Sequence, residues 1–156
     1  MLTQERLKEI LHYNPETGEF KRLLGKFKNG KVGHINDFGY VCIYAHDKVY
    51  KAHRLAFLFM TGRFPLFDVD HIDGNPSNNA WNNLRDVETV VNCQNRRKQQ
   101  KNSTCKTLGV SFRNGKYTAQ ISVNKKQIYL GTFLTSAEAA NAYLVAKREY
   151  HQGCTI

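Results

Sequence analysis

The order of apolar and polar residues predicts short helices and strands in the first half of the chain. Residues 3–11 have a capping residue at the start and apolar side chains on one face, which predicts a short helix. Residues 39–44 and 49–52 are rich in β-forming side chains and predict a hairpin. Apolar residues at helical spacing predict a second helix over 53–61, and Gly62 would end it.

The middle of the chain contains two short strand patterns around a polar loop. Strands are predicted at 69–72 and 84–87, and the amide-rich segment 75–83 between them reads as loop. A helix follows from about Glu88 to Gln100. Residues 99–107 are polar and are interpreted as a basic linker.

The last third of the chain changes to strict alternation of apolar and polar residues. Residues 109–112, 117–123 and 127–133 predict three antiparallel strands joined by tight turns. A final helix begins near Thr135 or Ser136 and has alanines for packing on the sheet. The predicted fold class is therefore α+β, with a small three-stranded antiparallel sheet packed on one helix at the end of the chain.

Length and composition restrict the classes of protein. The chain has 156 residues, 41% of them hydrophobic, which is enough for one ordinary domain or two small ones. It has no apolar run long enough to span a bilayer and no signal-peptide pattern at its start, so we expect a cytoplasmic protein without a membrane partner. The four cysteines are scattered without a C-x-x-C pair, which favours free thiols over structural zinc.

Positive charge is concentrated in one part of the sequence. The net charge is +10, and no acidic residue lies between Glu88 and Glu138. This stretch indicates a nucleic-acid partner, although a soluble basic surface or a membrane-facing patch has the same composition. The basic residues in it are Arg96, Arg97, Lys98, Lys101, Lys106, Arg113, Lys116, Lys125 and Lys126.

The segment Asp70-His71-Ile72-Asp73-Gly74 carries the candidate chemistry. A carboxylate and an amide oxygen suit Mg²⁺, so Asp70 and Asn92 are candidate ligands of one divalent metal ion. A neutral His71 can take a proton from water, and an Asn such as Asn83 can orient its ring. Taken singly, an Asp-His pair is usually a surface pair and an Asn-rich segment is usually a turn; the joint pattern in a basic chain favours phosphodiester cleavage.

The sequence allows alternatives at three further points. Asp70 and His71 are neighbours in a strand and would point to opposite faces unless the strand ends or twists there. His53 is either packed in the fold or near DNA or the metal. Arg54 and Arg85 either contact phosphates or pair with Asp68 or Asp86.

The stretch from His53 to Asn95 resembles the HNH endonucleases, in the form found among phage and homing endonucleases. The resemblance rests on residues 70–75, Asn78-Asn79, Asn83-Leu84-Arg85, Asn92 and Asn95. It implies a ββα-metal core in which Asp70 and Asn92 hold one divalent ion, most simply Mg²⁺ with Mn²⁺ as the alternative. It also implies that His71 is the general base and that Asn83 supports the loop and orients His71. Asn92 stands where many members have His.

Residues 109–146 resemble the plant APETALA/ethylene-response-factor DNA-binding domain. The resemblance rests on Gly109-Val110, Gly115-Lys116-Tyr117, Ala119, residues 130–133, Ala139-Ala140 and Ala142-Tyr143. It implies that one face of the sheet meets DNA, and that face would carry Ser111, Arg113, Lys116, Thr118, Gln120, Ser122 and Tyr129. Serines replace two usual arginines and Tyr129 replaces a usual Trp, so the plant target sequence does not carry over. A small module for folding or dimerisation is the alternative.

Together these patterns predict an HNH nuclease domain over 1–98, with a ββα-metal core at about 53–98 and an N-terminal β-rich segment. A linker at 99–107 and a DNA-binding domain at 108–153 follow. The expected activity is metal-dependent hydrolysis of double-stranded DNA to 5′-phosphate and 3′-hydroxyl ends, in a phage or homing enzyme acting in the host cytoplasm. The alternatives are a non-catalytic DNA-binding regulator and an RNA-directed nuclease. The predicted DNA contacts are Arg96, Arg97, Lys98, Lys101, Arg113, Lys116, Gln120 and Tyr129.

Overall fold

The computed structural model of the chain describes residues 1–25, 28–97, 105 and 107–156. Within these residues the fold is mixed α+β with small antiparallel sheets, as the sequence predicted. Two compact units are present, Met1–Thr89 and Val90–Ile156. No helix in the described part of the chain combines the length and the apolar character that crossing a bilayer requires.

The first unit contains the short helices and strands that surround the Asp-His segment. Two- and three-stranded antiparallel sheets are formed by β1 with β2, by β3-β4-β5, and by β6 with β7. The elements are α1 (Gln4–Ile10), β1 (Leu11–Tyr13), β2 (Phe20–Arg22), β3 (His34–Ile35), β4 (Val41–Ala45), β5 (Lys48–Lys51), α2 (Ala52–Thr61), β6 (Asp68–His71), a 3-10 turn (Trp81–Asn83) and β7 (Leu84–Val87).

The helix ends of this unit follow the sequence signals. The Thr3 hydroxyl accepts a hydrogen bond from the backbone N–H of Arg6 and caps α1. Gly62 ends α2 with a φ of 78°, a left-handed conformation that glycine adopts without strain. The predicted first helix, central hairpin and second helix are confirmed, because local capping and β-forming signals agree with the buried faces.

The N-terminal hairpin of β1 and β2 was not predicted. Leu11 was placed in the first helix, but it begins β1, where Leu11 and Tyr13 are buried and the residue between them is exposed. Tyr13 packs on Phe20 of β2, with ring centroids 4.7 Å apart. A three-residue strand is too short to show the alternation by which strands are recognised. This hairpin belongs to the core of the unit, which also includes Leu7, Ile43, Leu55, Leu58, Val69 and Leu84.

The second unit contains one sheet with a long helix packed on it. The antiparallel strand order is β10-β9-β8, and α4 contacts all three strands. A capping box formed by Thr135 and Glu138 begins α4, as the sequence predicted. The elements are α3 (Thr89–Gln94), which begins at the last residue of the first unit, then β8 (Val110–Arg113), β9 (Lys116–Val123), β10 (Lys126–Phe133) and α4 (Ser136–Tyr150).

The helix predicted from about Glu88 to Gln100 is shorter in the structure. α3 ends at Gln94, and side chains just after it bind the C-terminal tail. The Thr155 hydroxyl donates to Asn95 Oδ1, and Arg97 Nη2 donates to Thr155 Oγ1 at 2.7 Å. The end of that predicted helix at residues 98–100 lies outside the described residues, and so does the predicted 99–107 linker except for residues 105 and 107.

Candidate active site

A two-stranded hairpin presents the Asp-His pair. β6 pairs with β7 in a register that places Asp70 opposite Arg85 and His71 opposite Leu84. His71 is the last residue of β6, so the strand ends at the point where the sequence analysis required it to end. Asp70 and His71 are both 5% exposed, which is unusual for polar side chains and shows that both are held by the fold.

Asp70 forms an ion pair within the hairpin. Arg85 binds one carboxylate oxygen twice, with Nε at 2.7 Å and Nη2 at 2.6 Å from Oδ2. Asp70 is thus a partner of Arg85, whereas Asp86 accepts the backbone N–H groups of Leu66 and Phe67. Since a carboxylate can accept several bonds at once, the ion pair is compatible with a cation at Asp70.

Asp73 organises the loop that follows the hairpin strand. Its carboxylate accepts hydrogen bonds from the backbone N–H of Asn75 and from the amides of Asn78 and Asn83. Burial by itself raises the pKa of Asp73, but these hydrogen bonds outweigh burial and hold the pKa below its ordinary value. Asn83 also binds the backbone N–H of Asp73 and the carbonyl of Asn78. The loop-supporting role predicted for Asn83 therefore agrees with its contacts.

Asn79 makes the contact to His71 that was predicted for Asn83. Its Oδ1 lies 3.4 Å from His71 Nε2, and its Nδ2 donates to the Ser77 carbonyl at 3.0 Å. The bond to Ser77 fixes which end of the amide faces the imidazole. With a proton on Nε2, the lone pair of His71 is on Nδ1. The sequence placed Asn78 and Asn79 in the motif, but it contained no signal for which amide reaches the ring.

The N-terminal hairpin supports Asn79 from behind. The Tyr13 hydroxyl donates to the Asn79 carbonyl at 2.7 Å, and Asn79 is 2% exposed. Gly18 lies so close that a Cβ at this position would stand 2.2 Å from the Asn79 carbonyl carbon. A turn more than sixty residues upstream thus holds the residue that contacts His71. Tyr13 and Gly18 were not recognised from the sequence as supports of the site.

His53 and Tyr40 complete the surroundings of His71. The His53 ring is 5.1 Å from the His71 ring and 5.4 Å from the Tyr40 ring, measured between centroids. Burial, followed by the charges of His71, Lys51 and Arg54, lowers the pKa of His53 to about 3. Burial also lowers the pKa of His71, which the Asn79 contact and the carboxylates of Asp73 and Asp70 offset only in part. Both imidazoles are therefore neutral at pH 7, and His71 can accept a proton.

The predicted metal ligands, Asp70 and Asn92, would give a cation few protein ligands. Among the described residues no cluster of three or more His, Cys, Asp or Glu side chains could hold a metal ion. A site built from one carboxylate, one amide oxygen and water would not form such a cluster, and it matches the ligand preference of Mg²⁺. Asp70 lies in the first unit and Asn92 lies on α3 in the second unit, so their joint role stays a prediction.

One face of the sheet in the second unit carries four of the eight predicted DNA contacts. Cross-strand pairing places Arg113 opposite Lys116 and Gln120 opposite Tyr129. All four are exposed, and Tyr129 is 65% exposed. The outward-facing residues that the resemblance implied are consistent with this register. Of the other predicted contacts, Arg96 and Arg97 are exposed near the end of α3, and Lys98 and Lys101 lie outside the described residues.

Comparisons with known proteins identify the central segment. Residues 50–89 match the family model described as HNH endonuclease, and this segment contains His53, Asp70, His71 and Asn83. The resemblance stated for the middle of the chain is therefore confirmed for residues 50–89, and Asn92 and Asn95 lie outside the matched segment.

Two individual proteins are also similar to this chain, and each match covers only part of that protein's length. An ethylene-responsive transcription factor-like protein of Arabidopsis thaliana is 49% identical over 51 residues, which is 32% of this chain and 23% of that protein. A solved structure of the HNH homing endonuclease I-HmuI, described as DNA binding and cleavage, is 29% identical and has a TM-score of 0.44. That match covers 55% of this chain and 51% of the other. The chain thus spans less than a quarter of the plant protein and about half of the solved one.

Proposed function

We propose that this protein is a metal-dependent DNA endonuclease of the HNH type. The observation that carries the proposal is the buried Asp70-His71 pair at the end of β6, inside the segment that matches the HNH endonuclease family. The proposed reaction is hydrolysis of a phosphodiester of duplex DNA, which leaves 5′-phosphate and 3′-hydroxyl ends. A phage or mobile-element origin stays an expectation from the resemblance.

The roles of the residues follow from their chemistry. Asp70 and Asn92 are the proposed ligands of one divalent ion, most simply Mg²⁺, which would offset the charge that develops at the phosphate. His71 takes a proton from the attacking water through Nδ1, while the Nε2 contact with Asn79 holds the ring. Asn83 keeps the loop closed through Asp73 and Asn78. Arg85 holds the Asp70 carboxylate in one orientation.

Asp70→Asn tests the metal site. With Mg²⁺ the wild-type protein is expected to nick or linearise plasmid DNA, and EDTA should stop it. Asp70→Asn should lower the cleavage rate at least roughly a hundredfold, because the site loses its ligand charge. Asp47→Asn, an exposed residue in the β4–β5 turn, is the matched control and should cleave normally. Cleavage that persists in EDTA, or at the wild-type rate in Asp70→Asn, would contradict the metal role.

A non-catalytic DNA-binding regulator is the second candidate. The ion pair between Asp70 and Arg85 favours this second candidate, since the charge of a carboxylate that no longer binds a metal ion would be neutralised in this way. The two candidates separate in the same assay. DNA binding without cleavage, at any concentration of Mg²⁺ or Mn²⁺, would identify a regulator.

We further propose that the sheet of the second unit binds the DNA backbone and bases. Its outward face presents Arg113, Lys116, Gln120 and Tyr129, and the acid-free stretch runs through it. The partial identity to a plant protein named as transcription factor-like supports the proposal. Tethering this module to the nuclease would raise the effective concentration of DNA at the active site.

Arg113→Met tests the sheet surface. We expect weaker DNA binding at low salt and a decrease of about 0.9 in the slope of log affinity against log salt, the value for one lost phosphate contact. The control is Arg148→Met on α4, an exposed arginine on the helix that packs against the sheet. Equal effects of the two substitutions in a fluorescence-anisotropy titration would show that general charge, and not the sheet face, decides the affinity.

A further inference from the structure

The N-terminus of α2 has no cap from the protein. Lys51 is the N-cap residue, its side chain makes no capping hydrogen bond, and the first turn contains no acidic residue. The first N–H groups of a helix have no partner within the helix, and their dipole favours an anion. α2 has ten residues, which is long enough for the helix dipole to act at its N-terminus. An uncapped end of this kind is not a site by itself, but it sets the charge that a ligand would need.

His53 provides the second, independent observation. It is the second residue of α2 and is only 5% exposed, yet within the described chain its ring makes no hydrogen bond. A neutral imidazole always carries one N–H, and the ring nitrogens of His53 are not among the fully buried side-chain atoms that lack a partner, so this N–H reaches solvent and can take a ligand. The ring faces His71, the proposed general base, with 5.1 Å between centroids. A ligand of this imidazole would therefore lie near the proposed general base.

Lys51 adds a full positive charge to the same place. Its ammonium lies 4.2 Å above the Tyr40 ring, and Tyr40 packs edge-on against His53. In the part of the chain that the structure describes, Lys51 forms no ion pair. Burial does most to lower the pKa of His53, and the nearby charges of His71, Lys51 and Arg54 lower it further. An anion, and not a cation, suits these surroundings.

We infer that the N-terminus of α2, together with Lys51 and His53, binds the scissile phosphate of DNA. The His53 N–H donates to a non-bridging phosphate oxygen, the uncapped backbone N–H groups face the same phosphate, and Lys51 supplies the charge. This inference rests on the proposed nuclease function and extends it, because it assigns the substrate-binding half of the site. Asp70 and His71 act on one side of the phosphate, and α2 holds the other.

Lys51→Met tests the charge without involving chemistry. DNA affinity is measured in EDTA over a series of salt concentrations, and the substitution should weaken binding about tenfold at low salt and lower the salt slope by about 0.9. Lys8→Met is a matched control, since Lys8 also stacks on an aromatic ring, Phe59, but lies on α1. If Lys51→Met and Lys8→Met bind DNA equally well, the inference is wrong.

His53→Phe and His53→Asn test the hydrogen bond. Phe keeps a buried ring but has no donor, and we expect single-turnover cleavage to slow roughly a hundredfold, as for other lost donors to a transition-state oxyanion. Asn retains an N–H and should recover part of the rate. A packing role predicts the reverse order, with Phe close to wild type and Asn impaired, and that order would overturn the inference. Should either variant fail to fold, Lys51→Met still decides.

Failure of the nuclease proposal can be distinguished from failure of this inference. If the wild-type protein never cleaves DNA, the nuclease is wrong, while the salt slopes still decide whether Lys51 contacts a phosphate. A further titration with inorganic phosphate separates the two sources of the anion. Weak competition with DNA that Lys51→Met abolishes supports the DNA phosphate. Tight phosphate binding that leaves DNA affinity unchanged would assign the site to a free anion and overturn the inference.

Discussion

Replacing His71 by alanine is expected to lower the rate of plasmid cleavage by roughly a thousandfold, with DNA binding largely retained. The side chain is the proposed general base, a role that typically contributes two to four orders of magnitude. Its neutral state, its burial and its contact with Asn79 all prepare it to accept a proton. Cleavage is measured under single-turnover conditions with saturating Mg²⁺.

Two comparisons make this result specific. His12→Ala removes an exposed histidine from β1 and should cleave like the wild type. Added imidazole should restore part of the activity of His71→Ala, because the substitution leaves space for a small base beside Asn79. A His71→Ala protein that cuts within about twofold of the wild-type rate would remove His71 from the reaction, since a general base contributes far more than that.

Replacing Gly18 by alanine is expected to cost about 3 kcal/mol of folding stability and to lower cleavage. Gly18 has a φ of +74°, and a Cβ there would stand 2.2 Å from the Asn79 carbonyl carbon and 2.4 Å from the Ala80 nitrogen. Backbone atoms cannot move aside as a flexible side chain can. The loop must therefore shift, and Asn79 shifts with it, away from His71.

Gly25→Ala is the matched control for Gly18→Ala. Gly25 has a similar φ of +82°, but a Cβ there meets nothing within 4 Å, so only the conformational cost of about 1 kcal/mol applies. Trp81 is the only tryptophan of the chain and directly follows Ala80, so its fluorescence reports unfolding of this unit in urea. Equal losses of stability in the two variants would show that Gly18 does not support the Asn79 backbone.

Much of the local structure was predictable because its causes are local. Gly62 ends α2, and Thr135 with Glu138 begins α4, through signals that lie within four residues of the helix ends. Alternation placed the three strands of the second unit and their outward face. The motif also located the Asp-His pair, because residue type and spacing express its chemistry directly.

Contacts between distant segments were not predictable in this way. Arg85 was expected either to contact a phosphate or to pair with Asp68 or Asp86, but the strand register brings Asp70 opposite it. Asn83 was expected to orient His71, yet Asn79 faces the ring, because the hydrogen bonds of Asp73 fold the loop and direct each amide differently. Residue types alone do not distinguish among several asparagines in one loop.

By itself, the sequence determined the α+β class, most helix and strand positions, the basic character and the Asp70-His71 pair at the centre of the candidate site. Only the tertiary structure decided that Asn79 contacts His71, that the hairpin with Tyr13 and Gly18 supports it, and that His53 lies buried against it. The physical reason is range: capping, turns and alternation act within a few residues, whereas these contacts depend on how segments far apart in the chain are packed together.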